Sequence, residues 1–182
     1  MVKVIGITGS IAVGKSTVTR YLLMHGYVVM DADKISKEAL NVGTSCYKRV
    51  VELFHCVNDD LTIDRKMLGQ IVFSDKSKKK QLEDIIHPYV IETLKQGIQE
   101  CKDELIFLDI PLLFEAKLQY LCDKIIVVYV DEKTQMHRLM ERNHIGQEAA
   151  LHLMRQQITI EEKKKLADYI VDNRCNHEDL YK

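Results

Sequence analysis

Residues 2–16 read VKVIGITGSIAVGKS, an apolar and β-branched stretch that leads directly into a segment with two glycines, a lysine and two serines. The stretch Val2–Ile7 predicts a buried strand, and Gly14–Leu23 predicts the helix that follows it. Between them, Gly9–Ser16 fits the pattern G-x-x-x-x-G-K-[ST], which belongs in this strand, loop and helix setting. The opening residues therefore predict a phosphate-binding loop at the start of an α/β fold.

The residue types of this loop favour nucleoside triphosphate binding over a glycine-rich turn with an incidental lysine. Backbone N–H groups of such a loop turn toward phosphate oxygens, and the helix that begins near Gly14 adds the positive end of its dipole. Lys15 supplies a mobile charge for the transferred phosphate, and Ser16 supplies a hydroxyl that can ligate Mg²⁺. The predicted nucleotide-binding residues are Ala12, Val13, Gly14, Lys15, Ser16 and Thr17.

Four further apolar runs extend this start into a sheet. They are Tyr27–Met30, Glu104–Asp109, Lys124–Val130 and Tyr169–Asp172. Helix-length segments separate the runs, among them Asp131–Arg142 and Gln147–Gln157. Strand and helix alternation predicts a parallel, five-stranded sheet in an α/β fold with helices on both sides, the three-layer architecture of P-loop NTPases.

A helical insertion interrupts this alternation between Lys34 and Cys101. Its helices are expected to begin at Ser45, Asp64, Asp75 and Pro88. The 182 residues contain no internal repeat and no linker rich in serine and glycine, so they predict a single unit. Its parts are a core of about 1–33 and 102–182, a helical subdomain of about 34–101 and a lid of about 135–157.

Composition excludes several classes of protein. Lys and Arg number 26 against 27 Asp and Glu, a formal net charge of −1, so no overall field attracts nucleic acid or an anionic membrane. The apolar runs are far shorter than the roughly 18 residues of a membrane span, and because the first residues enter a strand pattern directly, we expect no signal peptide. The five cysteines include no C-x-x-C pair and predict packed, reduced thiols. We therefore expect a cytoplasmic location.

Carboxylates follow two of the predicted strands. Asp31 and Asp33 come at the end of the second strand, and Asp109 ends the third. Because the carboxyl ends of parallel strands face the ligand crevice, these residues are expected near the phosphates. One of the first two can serve Mg²⁺ and the other an acceptor hydroxyl, although Asp33 could instead cap the next helix. Ser16, Asp31 and Asp109 are the predicted Mg²⁺ ligands, with plain packing as the alternative for the segment after Asp109.

Two arginines follow the fourth strand. Gln135, Arg138 and Arg142 share one face of the predicted helix, since steps of three and four residues return to the same side. Stacked guanidinium groups would make an anion clamp, and the alternative is that the arginines pair with Glu141 or other neighbours on the helix surface. The lysine runs 78–80 and 163–165 are interpreted as solvated faces.

With these residues in place, the chain resembles the dephospho-CoA kinase family, a group of P-loop kinases similar to the nucleoside monophosphate kinases. The likeness runs from Ile5 to about Asn173. Its motifs are the loop, Asp31–Ile35, Asp64–Arg65, Ile86–Pro88, Pro111–Glu115, Gln135 with Arg138 and Arg142, and Asn173.

The resemblance implies ATP-dependent, Mg²⁺-assisted phosphorylation of the ribose 3′-hydroxyl of dephospho-CoA, and a strand order of 2-3-1-4-5. It makes Asp33 similar to the catalytic acid–base residue of the family, and Arg138 and Arg142 similar to its lid arginines, which are catalytic together with Lys15. The acceptor-binding residues that it implies are Asp33, Arg65, His87 and Leu113.

Some positions depart from the family pattern. Ala12 and Val13 replace the commoner glycine and serine of the loop, and Leu153 stands where an arginine is usual. The loop substitutions keep the backbone donors, whereas the sequence leaves open whether Arg155 replaces the arginine missing at 153.

Two other functions are compatible with the loop. The first is a different small-molecule or nucleoside monophosphate kinase. The second is a nucleotide-driven switch, although the N-K-x-D segment typical of guanine-specific switches is missing from the sequence. For a kinase we expect ATP and dephospho-CoA as ligands, no nucleic acid or membrane partner, and a monomer or weak homo-oligomer.

Overall fold

The computed structural model describes residues 2–174, and within them a parallel sheet of five strands. The strands are β1 (Lys3–Thr8), β2 (Val28–Asp31), β3 (Leu105–Asp109), β4 (Lys124–Tyr129) and β5 (Tyr169–Asp172). All five predicted strands are confirmed, with ends that differ by at most one residue. The order β2-β3-β1-β4-β5 is the one that the resemblance implies.

Helices connect these strands. They are α1 (Lys15–Met24), α2 (Ala32–Glu38), α3 (Ser45–Phe54), α4 (Arg65–Ser74), α5 (Lys76–Glu100), α6 (Glu132–Asn143), α7 (Gln147–Met154) and α8 (Ile160–Lys165), with a 3₁₀ turn at Gln119–Leu121. The α/β class is confirmed. No helix among the described residues is long and apolar enough to cross a bilayer.

The chain divides into two compact units. One holds the sheet and comprises the residues up to Asp31 and from Glu100 onward, and the other is Ala32–Gln99. In the sheet unit, β1 is buried along almost its whole length, with Val4, Ile5 and Ile7 at most 7% exposed. Such a continuous apolar run is typical of a central parallel strand, and each buried side chain of this size stabilises the fold by about 1.5–3 kcal/mol.

The helical unit has a core of its own. Polar residues cap the N-termini of α3 and α4. The Thr44 side chain accepts a hydrogen bond from the Tyr47 backbone N–H at 3.0 Å, and the Asp64 side chain accepts one from the Met67 backbone N–H at 2.9 Å. These caps confirm the helix starts predicted at Ser45 and Asp64. The buried residues of this core are Ala39, Cys46, Val50, Phe54, Cys56, Ile63, Leu68 and Ile85.

Two expectations for this region are wrong. Pro88 does not begin a helix but lies inside α5, where a proline costs about 3 kcal/mol. Ile85, Val90 and Leu94 are buried on either side of it, and their packing offsets that cost. The region is also not purely helical, because Val57 and Ile63 form an antiparallel bridge.

The four cysteines within the described residues are free thiols. Cys46 and Cys56 are buried, while Cys101 and Cys122 are half-buried. Burial raises the pKa of the Cys122 thiol to about 11, so this thiol stays protonated near neutral pH. Cys175 lies outside the described residues.

Candidate active site

The predicted phosphate-binding loop lies between Thr8, the last residue of β1, and Lys15, the first of α1. Steric contacts explain why both positions of the motif, 9 and 14, hold glycine. A Cβ on Gly9 would lie 2.9 Å from the Val128 carbonyl oxygen, and a Cβ on Gly14 would clash with Asn173 Nδ2. Gly14 also has a φ of +84°, a left-handed conformation that glycine adopts without strain.

Ala12 occupies the position where the family commonly has glycine, and its φ is +63°. An L-residue in this region carries a strain of about 1–2 kcal/mol, because its Cβ approaches the following carbonyl. The loop therefore keeps a shape that suits glycine although its residue here is alanine. Contacts from outside the loop must hold it.

Three neutral amide side chains make such contacts. Gln135 Nε2 donates to the Ile11 carbonyl at 2.9 Å, and the Ile11 N–H donates to Gln157 Oε1 at 2.8 Å. Asn173 Nδ2 donates to the Val13 carbonyl at 2.8 Å. Gln135 and Asn173 are buried, 2% and 4% exposed. Sequence analysis placed Gln135 on the same helix face as two arginines but missed its bond to the loop.

The lysine of the loop is held by a carboxylate. Lys15 Nζ donates a hydrogen bond to Asp109 Oδ1, and both side chains are largely buried, 17% and 6% exposed. Asp109 ends β3 and is the register partner of Ile7 on β1 and of Asp31 on β2. The sheet thus brings Lys15, Asp31 and Asp109 to the same edge, as the sequence predicts for strand ends.

The predicted Mg²⁺ ligands have a chemistry that fits this ion. Asp31 and Asp109 are register partners on adjacent parallel strands, which lie about 4.8 Å apart, so their side chains project from the same face of the sheet. Ser16 is in the first turn of α1 and is exposed. Carboxylate and hydroxyl oxygens are hard donors, and Mg²⁺ is usually held by one or two carboxylates together with phosphate oxygens.

The structure separates the two arginines of α6. Arg138 Nη2 donates to the backbone carbonyl of Asn173 at 3.0 Å, and a Cβ on Gly14 would lie 3.8 Å from Arg138 Nη1. The Arg138 guanidinium therefore lies against the loop. Arg142, one turn further on, is exposed and donates from Nε to Asn143 Oδ1 at 3.0 Å. Within the described residues Glu141 pairs with His137 and with no arginine, whereas Arg142 makes the contact with a neighbour that the surface alternative predicts.

Residues predicted to serve the acceptor lie on the helical unit. Asp33 is exposed in the first turn of α2, and because that helix begins at Ala32, Asp33 is not its N-cap. Arg65 Nη2 donates to the Lys37 carbonyl at 2.9 Å, which joins the start of α4 to α2. His87 is exposed on α5.

Leu113, the remaining acceptor candidate, lies in the sheet unit and is fully buried. Its Cδ1 atom would lie 2.9 Å from a Cβ on Gly6, so its side chain packs in the core. If Leu113 contacts an acceptor, it must therefore do so through its backbone atoms. The neighbouring Leu112 offers a side chain that is 45% exposed.

The interpretation of residues 163–165 as a solvated face is wrong for Lys163, which is 0% exposed. Its ammonium group lies 2.9 Å from Glu115 Oε1 and donates to the Pro111 carbonyl at 3.1 Å. Burial lowers the pKa of Lys163, and the Glu115 carboxylate opposes that shift. One sequence signal could have indicated this burial: Lys163 follows Ile160 at the i, i+3 spacing, which places both on one face of α8, and both are buried.

Comparison with known proteins gives one consistent result. The family model for dephospho-CoA kinase matches residues 3–179. A dephospho-CoA kinase of Oceanobacillus iheyensis is 43% identical over an alignment of 184 positions that covers 98% of this chain and 92% of that protein. Another, from Carboxydothermus hydrogenoformans, is 45% identical and is matched over 93% of this chain and 85% of its own length.

A solved structure supports the same assignment. Dephospho-CoA kinase from Campylobacter jejuni superposes with a TM-score of 0.77 at 33% identity, over 100% of this chain and 92% of that one. The resemblance noted from the motifs is confirmed over nearly the full length. The chain belongs to the dephospho-CoA kinase family.

Proposed function

We propose that this kinase transfers the γ-phosphate of ATP to the ribose 3′-hydroxyl of dephospho-CoA, with the roles of individual residues described below. The single observation that carries the proposal is that the Arg138 guanidinium lies against the Gly9–Ser16 loop, whose own Lys15 is held by Asp109, in a chain of this family. Phosphoryl transfer needs positioned charge more than covalent chemistry by the protein, and these two cations supply it.

In this proposal Lys15 contacts the β- and γ-phosphates of ATP. The backbone N–H groups of the loop and the start of α1 bind the remaining phosphate oxygens. Asp109 orients the Lys15 ammonium through the hydrogen bond between them. ATP is thereby held with its terminal phosphate at the edge of the sheet where β1, β2 and β3 end.

Mg²⁺ would be held by Ser16, Asp31 and Asp109, whose oxygen donors fit it. When bound, the ion supplies positive charge that neutralises the phosphate oxygens during transfer. Asp109 would then serve both the ion and Lys15.

Arg138 is proposed to stabilise the charge that develops on the transferred group. Its guanidinium lies against the loop and is held by the Asn173 carbonyl at 3.0 Å, so it needs little rearrangement to act there. Arg142 is exposed and is held only by its sequence neighbour in the contacts described above. We assign Arg138 the larger catalytic role.

Asp33 is proposed to accept the proton of the 3′-hydroxyl. It is exposed and stands in the first turn of α2, where the positive end of the helix dipole favours a carboxylate. Arg65 and His87 are proposed to bind the acceptor, as the family resemblance implies.

The proposed setting is a cytoplasmic enzyme with ATP and dephospho-CoA as its ligands, without nucleic acid or membrane partners, and a monomer or weak homo-oligomer. The nearly balanced charge, 26 basic against 27 acidic residues, supports this setting.

One assay tests the acceptor. ADP release is measured by a coupled enzyme reaction with dephospho-CoA, AMP, CMP or shikimate as the only acceptor. We expect that, of the four acceptors, dephospho-CoA is the one that raises the rate of ADP release above the acceptor-free rate by orders of magnitude. Equal or faster release with AMP, CMP or shikimate would identify the protein as a different small-molecule kinase.

A substitution tests the proposed base. Asp33→Asn should leave ATP affinity nearly unchanged while kcat falls by about 10²–10⁴, because the amide cannot accept the proton. Glu38→Gln is the matched control, since it removes another exposed carboxylate from the same helix. Near-normal turnover of dephospho-CoA by Asp33→Asn would refute the assignment and point to Asp31.

A further inference from the structure

We infer that Gln135 and Gln157 are positioning residues that hold the phosphate-binding loop by both peptide groups of Ile11 and so tie the two ends of the lid to that loop. The inference rests on the proposed function in one respect, that the loop binds ATP. It assigns the two glutamines no contact with ATP themselves.

The chemistry of the two hydrogen bonds fixes the orientation of each amide. The Ile11 carbonyl can only accept, so Gln135 must offer its NH₂ group, 2.9 Å away. The Ile11 N–H can only donate, so Gln157 must offer its carbonyl oxygen, 2.8 Å away. The two glutamines therefore play opposite parts on one residue.

Each anchor is itself held in place. Gln135 is 2% exposed on α6, the helix that Asp131 caps by accepting from Thr134. After Gln157, the Ile158 N–H donates to Glu115 Oε1 at 3.0 Å, and Ser10 Oγ donates to the Ile158 carbonyl at 3.3 Å. Both amides are thus preorganised toward the loop.

The bond from Gln135 determines where the next N–H group points. The Ile11 carbonyl and the Ala12 N–H belong to one planar trans peptide and point in opposite directions. When Gln135 holds the carbonyl on its side, the Ala12 N–H faces away from α6. Ala12 is the first predicted ATP-binding residue and has a strained φ of +63°, so this peptide needs an external restraint.

The two glutamines connect the predicted lid to the phosphate-binding loop. Residues 135 and 157 are the two ends of the predicted lid, and 124 and 146 residues respectively separate them from Ile11 in the chain. Movement of either lid end therefore acts on the same loop residue. Neutral amides make this connection without adding charge beside the phosphates.

The opposite roles of the amides give a sharp test with four variants of similar side-chain volume. At 135, methionine removes the hydrogen-bond donor, whereas glutamate places a carboxylate beside the Ile11 carbonyl, and the two groups of oxygen atoms repel each other. Gln135→Glu should therefore impair ATP binding more than Gln135→Met. At 157, glutamate keeps an acceptor for the Ile11 N–H, so Gln157→Glu should bind ATP more tightly than Gln157→Met once the effect of the added charge, measured in Gln156→Glu, is subtracted.

The measurements are KM for ATP, kcat, and direct binding of a non-hydrolysable ATP analogue by calorimetry, with thermal unfolding of each variant. The Met variants should raise KM for ATP by about 5- to 10-fold with kcat changed much less, since the loop contacts act in ground and transition states alike. Gln156→Glu is the control, because it adds the same charge one residue from Gln157 on an exposed side chain.

Opposite orders of Met and Glu at the two positions would support the inference. The same order at both positions, or a lower melting temperature with KM for ATP unchanged, would overturn it. If the wild type fails to use dephospho-CoA, the proposed acceptor is wrong, and the binding measurements with the ATP analogue still decide the role of the glutamines.

Discussion

Replacement of Lys163 by methionine tests the buried ion pair next to the loop. The lysine is 0% exposed, and its ammonium group lies 2.9 Å from Glu115 Oε1 and 3.1 Å from the Pro111 carbonyl. Methionine fills a similar volume but removes the charge and both bonds. Among the residues that the structure describes, Glu115 would then keep the Ile158 N–H as its remaining hydrogen-bond partner, and its Oε2 atom is already buried without a partner from these residues.

The cost follows from the charge left behind. Removal of one member of a buried ion pair destabilises a protein by about 3–5 kcal/mol, because the remaining charge lacks compensation. The Glu115 side chain is 20% exposed, which places this case toward the lower end, about 3 kcal/mol. For a chain of this size about 1 kcal/mol shifts the melting temperature by about 2–4 °C, so Lys163→Met should lower it by about 6–12 °C.

A second variant separates charge from packing. In the double variant Lys163→Met with Glu115→Gln, neither charge of this pair remains, and the glutamine carbonyl can still accept from the Ile158 N–H. Replacement of a buried ion pair by neutral groups of similar volume is often close to neutral, so the double variant should recover most of the loss.

Urea unfolding of the wild type, both single variants and the double variant gives the coupling energy. Lys163→Met within about 1 kcal/mol of the wild type, or a double variant as unstable as the sum of the singles, would refute the reasoning. The first result would mean that the pair adds little, and the second that packing rather than charge sets the cost.

Three further predictions concern single positions. Ala12→Gly should raise the free energy of unfolding by roughly 0.5–1 kcal/mol in urea titrations, because it relieves the strain at φ +63° more than it adds chain entropy; a loss of stability would contradict this. Arg138→Ala should lower kcat at least tenfold more than Arg142→Ala at saturating ATP, and equal effects would show that contact with the loop does not rank the two arginines. Hydrogen bonds from Lys124 and the β4 backbone hold the pKa of Asp168 below its usual range, so its stabilisation is present above about pH 4 and is lost as pH falls through the lowered pKa. Asp168→Asn should therefore reduce the loss of stability between neutral pH and about pH 3, and an unchanged acid slope would contradict the role of this carboxylate.

The strands and the loop could be predicted because the information for each lies within a few residues. Val2–Ile7 is an apolar, β-branched run interrupted by Lys3 and followed by a glycine motif, and the structure has a strand and a loop there. The same locality explains the helix starts at Ser45 and Asp64, where one polar side chain caps the backbone. Pro88 shows the limit, since distant packing around α5 outweighs its local preference.

The contacts that shape the site could not be predicted, because they join residues far apart in the chain. Gln157 and Ile11 are 146 residues apart, and Lys163 and Pro111 are 52 apart. Nothing in a run of three lysines distinguishes the one that α8 buries until the position of Glu115 is known. The residues of the loop motif were therefore identified, whereas the contacts of the side chains that hold the loop were not.

Two lysines, Lys15 and Lys163, lie near the loop, and each is paired with a carboxylate because their charges repel. Burial lowers the pKa of Lys163, the Glu115 carboxylate opposes that shift, and the charge of Lys15 adds to the lowering, so the two ammonium groups repel each other. Asp109 holds Lys15 at the strand ends, and Glu115 holds Lys163 beneath the Pro111 carbonyl, which also accepts from Thr8 at 3.0 Å. Thr8 leads directly into the loop. Because Glu115 neutralises Lys163, this second lysine can brace the start of the loop and leave Lys15 as the ammonium group for the phosphates.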